Sequence, residues 1–243
     1  MCARFSLFAT PAQIAELLDL AIPEVEPQYN IAPTETILGA IERDGIRQIR
    51  QFRWGLIPSW AKDASAGNRM INARSETVLE KAAFRSAFQR RRCVIPASGF
   101  FEWKEEKVEA AATSPPSLFD EVEIPRRTKG KLRTLKQPYF IDLKSHELFA
   151  FAGLYEYWRD PASELIRSCT ILTTRPNEVV EPLHNRMPVM LRKPEFEAWL
   201  DCENPNLEIP ESLLAPLPAE IMEAVPVSPA VNDPKNKSEI LVL

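Results

Sequence analysis

The sequence predicts an α+β fold: a single domain of mixed, largely antiparallel strands with helices at its periphery. Three observations carry that reading. Short stretches of apolar alternation recur along the chain, an Asp-Gly pair joins two of them, and strands and helices follow without regular βαβ alternation. Cys2–Phe8 reads as a strand, with Cys2, Arg4 and Ser6 on one face and Ala3, Phe5 and Leu7 on the other. Thr10-Pro11-Ala12-Gln13 has capping-box spacing with proline at the first helical position, and Ile14, Leu17 and Leu18 form the buried stripe behind it. Thr36–Arg43 and Ile46–Ile57 flank Asp44-Gly45 and read as a hairpin. Thr77 and Glu80 repeat the capping-box spacing and open a helix to about Arg90. Arg92–Pro96 and Gly99–Trp103 are strands parted by a bend at Pro96, and Tyr139–Leu143 pairs with Leu148–Tyr157 around a surface turn holding His146. Ser168–Thr174 is a β-branched strand, Asn177–Leu183 a short helix, Met187–Leu191 a strand and Pro194–Leu200 a helix.

Composition narrows the class. No stretch of about 18 apolar residues is present, so no membrane span is expected, and no basic-then-apolar leader opens the chain. The four cysteines (Cys2, Cys93, Cys169, Cys202) form no CxxC pair, and with only His146 and His184 they make a poor zinc set. The expectation is a reduced, cytoplasmic protein without metal or cofactor. The net charge of −4 is unevenly distributed. Residues 38–104 hold ten arginines and three lysines against six acids, whereas residues 193–243 hold three lysines against ten acids. A local arginine-rich face suits phosphate binding on an acidic protein, although charges scattered over separate surfaces give the same counts. Residues 105–136 stand apart, with an Ala-Ala-Ala-Thr-Ser-Pro-Pro run and then six basic residues. They read as a mobile insertion within a domain spanning 1–243.

Four segments carry polar residues that a bare fold does not require. Cys2 follows Met1, and a penultimate residue this small lets the initiator methionine be removed, leaving an α-amine and a thiol on one residue. An α-amine has a pKa of about 7.7–8.0, so part of it is neutral at physiological pH. Amine and thiol together suit aldehyde capture: the amine forms a Schiff base and the thiol closes a five-membered ring, replacing a second encounter. A second-position cysteine also reads simply as a small residue. In Asn72-Ala73-Arg74-Ser75-Glu76-Thr77, Asn72 offers donor and acceptor, and Arg74 offers a planar fork for phosphate. In Gly99-Phe100-Phe101-Glu102-Trp103, Glu102 lies among aromatics, a setting that raises a carboxyl's pKa; the same alternation also fits a solvent-facing glutamate. His184 lies between a short helix and a strand, where functional and structural histidines both occur.

Together these segments resemble the SOS-response-associated peptidase (SRAP) domain family, over nearly the whole chain outside 105–136. The likeness extends through Tyr29-Asn30-Ile31-Ala32-Pro33-Thr34, Trp54-Gly55-Leu56-Ile57-Pro58-Ser59-Trp60, Cys93–Trp103, Phe151-Ala152-Gly153-Leu154, Ile171-Leu172-Thr173-Thr174, His184–Pro188 and Pro226-Val227-Ser228. The resemblance implies a protein that senses abasic sites in single-stranded DNA. It would act by condensing the freed Cys2 with the deoxyribose aldehyde into a thiazolidine crosslink, as a lyase-type enzyme that removes its own Met1. It further implies that Asn72 orients the amine, Glu102 serves as acid and base in Schiff-base formation, and His184 assists ring opening and proton transfer. Arg4 and Arg74 would hold phosphates, Asn30 and Trp60 would line the DNA groove, and Thr173 and Arg186 would complete the DNA contacts of a monomer.

Two departures accompany the likeness. Ala3 stands where the family usually has glycine, which would be strained if that position needs positive φ. Asn185 follows the histidine where aspartate is common, removing a possible charge partner. A different class also begins Met-Cys: glutamine-type amidohydrolases with an N-terminal nucleophile, whose glutaminase turnover would separate the two readings.

Overall fold

Two β-sheets organise the computed structural model, which describes residues 2–109, 132–160, 162–202 and 209–239. In chain order the elements are β1 (Phe5–Leu7), α1 (Pro11–Leu18), β2 (Gln28–Ile31), β3 (Thr36–Arg43), β4 (Ile46–Trp54), β5 (Asn72–Arg74), α2 (Ala82–Arg90), β6 (Arg92–Ala97), β7 (Gly99–Glu109), β8 (Leu132–Leu143), β9 (Phe149–Arg159), β10 (Leu165–Thr174), β11 (Met187–Pro188), β12 (Met190–Leu191), α3 (Phe196–Leu200), α4 (Glu211–Leu214) and β13 (Met222–Pro226). One sheet runs β13-β8-β7-β1-β2. In the other, β10 bonds to both β4 and β9, so β4, β3, β6, β9 and β10 close into a ring, a device that removes exposed strand edges. Among the described residues, only the pairings of β10 with β4 and β5 are parallel. The result is a single α+β domain.

The sheets meet over an aromatic core. Phe5 of β1 packs edge-to-face on Trp54 at 5.2 Å and on Phe151 at 5.4 Å, linking the first sheet to the ring. Burial of Phe5 therefore fixes the chain's first residues against both sheets.

Local signals set the local structure. Thr10 caps α1 in a full capping box, with Ile14, Leu17 and Leu18 buried. Asp44 and Gly45 take φ of 53° and 67°, the turn of the β3–β4 hairpin. Other expectations are corrected. The first strand is regular only over Phe5–Leu7, where its register with β2 is irregular. The second helix starts at Ala82 rather than Thr77: Glu80 and Lys81 donate their backbone N–H to the Thr77 carbonyl in an isolated turn, and Thr77 caps no helix. Asn177–Leu183 is a series of turns, because Pro182 brings no N–H to extend a helix. Met187–Leu191 is divided at Val189, whose N–H reaches Leu172 of β10 while its carbonyl accepts from Ala152 of β9. The Pro194–Leu200 helix begins as a 3₁₀ turn at Lys193–Glu195 and is α-helical only over Phe196–Leu200.

The largest correction concerns pairing. β8 and β9 do not form a hairpin; β8 belongs to the first sheet and β9 to the ring. β6 and β7 part in the same way, at Ser98, where a Cβ on the adjoining Gly99 would lie 2.8 Å from the Ile141 carbonyl and into the Phe140 ring. Of the stretch 105–136, Glu105 pairs with Lys136 and Glu109 with Leu132, so its two ends are strand. Residues 110–131 lie outside the described residues.

Candidate active site around Cys2

The side chains singled out for chemistry come from four distant segments and converge at the start of the chain. β5 lies parallel to β10 with Asn72 opposite Ile171. That placement sets the Asn72 amide against Cys2, and its Nδ2 donates to the Cys2 carbonyl at 2.7 Å. The other end of the same amide, Oδ1, is buried with no hydrogen-bond partner among the described residues. The Cys2 thiol is buried and donates to the Arg4 carbonyl at 3.7 Å. Burial first, and then the negative charge of Glu102, push this thiol up, so it is held neutral.

Glu102 sits on β7 with Phe100, paired across to Tyr139 of β8. It is buried, and desolvation pushes its carboxyl up to about 7. His184 follows the turns after β10. Its Nδ1 meets the Arg186 backbone twice, 3.0 Å from the N–H and 3.2 Å from the carbonyl; the shorter contact, with the N–H donating to Nδ1, corresponds to the neutral ring with its proton on Nε2. Burial, together with nearby positive charge including Arg186, holds this imidazole below its ordinary pKa. The backbone of Arg186 thus takes the orienting place for which the sequence offers no aspartate at 185. Glu102, His184 and Arg4 line one cavity of ≈ 850 Å³ with Trp103, Asn185 and Asn232. Ala3 is not among the residues with positive φ, so its methyl group fits without strain.

The other singled-out residues are placed differently. Arg4 reaches this cavity, and its Nη1 is steadied by Asn30 Oδ1 at 3.1 Å and by the Val231 carbonyl at 3.3 Å. Asn30 is fully buried rather than lining a groove, and its Nδ2 donates to the carbonyls of Val231, Asp233 and Asn236. It ties the C-terminal segment to β2 and holds Arg4. Replacing it with alanine strands these carbonyls, and Asn30→Ala is expected to cost about 2–4 kcal/mol in urea unfolding. Arg186 forms a two-pronged ion pair with Glu76 at 2.6 and 2.8 Å and also donates to the Thr173 carbonyl, so its guanidinium is engaged within the protein. Thr173 is itself buried, bonded to the Ala73 carbonyl at 3.4 Å. Arg74 is exposed on β5, and Trp60 is 66% exposed after β4, outside the cavity.

Sequence reasoning missed two members of the site. Asn232 accepts a 2.7 Å bond from the Trp103 indole N–H, and the two form one wall of the cavity. Trp103 was legible only as an aromatic neighbour of Glu102. For Asn232 the sole signal was its closeness to Pro226-Val227-Ser228.

The sequence matches the family model described as SOS response associated peptidase (SRAP) over residues 1–234. The chain belongs to the SRAP family. This SRAP protein is similar to Abasic site processing protein YoqW of Bacillus subtilis, with 43% identity covering 100% of the chain and 99% of the relative. It is also similar to Abasic site processing protein HMCES of Xenopus tropicalis, with 28% identity covering 88% of the chain and 64% of that longer relative. Among solved structures, a protein from Bacteroides thetaiotaomicron superposes with a TM-score of 0.75 at 25% identity, covering 99% of the SRAP chain and 98% of the other.

Proposed function

We propose that this protein processes abasic sites in single-stranded DNA by forming a thiazolidine crosslink through Cys2 once Met1 has been removed. The observation that carries the reading is the Asn72 amide. One end grips the Cys2 carbonyl and the other presents a buried acceptor, an arrangement that would orient the N–H of a freed α-amine beside Glu102. The names of the relatives, abasic site processing proteins, support the substrate.

The chemistry balances with these residues alone. As the sugar ring opens to the aldehyde, the proton of its anomeric hydroxyl passes by way of the Glu102 carboxyl to the ring oxygen, which His184 steadies with a hydrogen bond from Nε2–H. The Cys2 amine adds to the aldehyde carbon. Glu102, with a pKa near 7, protonates the carbinolamine hydroxyl so that water leaves and an imine forms. The Cys2 sulfur then adds to the imine carbon, its proton passing to nitrogen, and one water is the only product released. With Met1 attached, the Cys2 nitrogen is an amide and the first addition cannot occur, so removal of Met1 precedes activity. Arg4 in the cavity and the exposed Arg74 supply positive charge for the flanking phosphates, and Trp60 offers an exposed face for base stacking, worth about 1–3 kcal/mol and tolerant of sequence.

Intact-mass measurement tests the proposal. Protein incubated with single-stranded DNA bearing one abasic site is expected to lack Met1 and to carry the DNA mass minus one water, mapped to Cys2. Retention of Met1 in reactive protein, or an adduct on another side chain, overturns it.

A further inference from the structure

The turn between β8 and β9 holds a second cluster of titratable groups, on the side of the sheet away from Glu102. Along β8, Phe140 and Asp142 share one face, while Tyr139 and Ile141 share the other with their β7 partners Glu102 and Phe100. Glu223 of β13 pairs directly with Asp142, placing two carboxylates on neighbouring strands. His146, four residues beyond Asp142, has φ of 53°, and its ring folds back over the pair. Its Nδ1 lies 2.7 Å from Asp142 Oδ2 and its Nε2 4.0 Å from Glu223 Oε1. One donor atom from each of the three lies within 4.8 Å of the others. The cluster forms the polar wall of a cavity of ≈ 220 Å³ that includes Phe8, Phe140 and Leu148.

We propose that Asp142, His146 and Glu223 form a binding site for a divalent cation of the zinc class. Like charges directly opposite on paired strands repel, and a cation held beside them on Glu223 and His146 offsets that cost. The donor set of one imidazole and one carboxylate, completed by water, suits zinc, manganese or iron; calcium and magnesium favour oxygen alone. The hydrogen bond from Nδ1–H to Asp142 fixes the tautomer that leaves the Nε2 lone pair toward Glu223, the carboxylate–histidine–metal arrangement. A swing of the exposed ring that narrows the 4.0 Å separation of Nε2 and Oε1 to about 3.4 Å sets both atoms at tetrahedral angles on a cation with bonds of about 2.0–2.2 Å. The adjoining cavity leaves room for water in the remaining positions. The metal-free alternative is a protonated His146 neutralising both acids.

Chelator-stripped full-length protein, titrated with zinc chloride by calorimetry, is expected to bind one cation per chain. Cobalt(II) should give a visible spectrum without a thiolate charge-transfer band, which separates this site from the cysteines. His146→Asn, chosen because asparagine tolerates a left-handed backbone, and Glu223→Gln should each weaken binding by about tenfold or more. Asp142→Asn, acting through the ring, should weaken it by about 10–100-fold. Thermal unfolding checks that each variant is folded, and His146→Asn should still crosslink abasic DNA. Absence of saturable binding, a folded His146→Asn variant that binds zinc as tightly as the parent, or a thiolate band with cobalt overturns the proposal.

Discussion

Cys2→Ala is expected to abolish the stable DNA adduct, lowering its yield by at least about 10³-fold, while leaving a transient one. The variant still exposes an α-amine after loss of Met1, and that amine retains the Asn72 acceptor and the Glu102 carboxyl. A Schiff base therefore still forms and is trapped by borohydride. Without sulfur no second bond closes on the imine carbon, so the adduct hydrolyses. The entropic advantage of holding both nucleophiles on one residue is lost with the thiol. Denaturing gel analysis of abasic single-stranded DNA, with and without borohydride, reads the two species separately. A Cys2→Ala adduct that survives denaturation without borohydride would falsify the thiazolidine. The same processed protein assayed for glutamine hydrolysis is expected to show none, which distinguishes it from an amidohydrolase using the same first residue.

Part of the fold was legible because its signals act over a few residues. The capping box at Thr10 and the Asp44-Gly45 turn need only their neighbours, and both form as read. Strand alternation told which side chains share a face, but not which sheet a strand joins. β8 and β9 read as a strand pair in sequence, and β6 and β7 as strands parted by a bend, yet each two are divided between the two sheets. The polar residues were hardest to place for the same reason. Asn30 and Arg186 have the chemistry of DNA-contacting groups, but their partners decide their roles. Asn30 finds the Asn236 carbonyl 206 residues away, and Arg186 finds Glu76 110 residues away. No local pattern encodes such encounters. The meeting of Asn72 with Cys2, 70 residues apart, was equally hidden in the residues themselves; only the family resemblance anticipated it.

Glu102→Gln is expected to slow crosslinking by about 10²–10⁴-fold while making the protein more stable at alkaline pH. Both effects come from one cause. Burial raises the carboxyl from its ordinary 4.5 to about 7, which keeps a proton available near neutrality for the departing hydroxyl. Glutamine fills the same space and cannot transfer that proton. The same shift costs stability. Between pH 4.5 and 7 the folded chain retains a proton that the unfolded chain has released, so folding weakens as pH rises through that window and stays weaker above it. Glutamine has no such ionisation. The variant should therefore exceed the parent by about 3 kcal/mol at pH 8 and by little below pH 4.5, as measured in urea unfolding at each pH. The parent's crosslinking rate should show an ionisation near 7 that the variant lacks. Parental rates in the variant, or persistence of that ionisation, would assign the proton transfer to another group. Equal stability of the two proteins at pH 8 would mean that the carboxylate is already compensated inside the fold. A gain in stability at the expense of rate is the outcome expected where a buried acid is kept for chemistry rather than for packing.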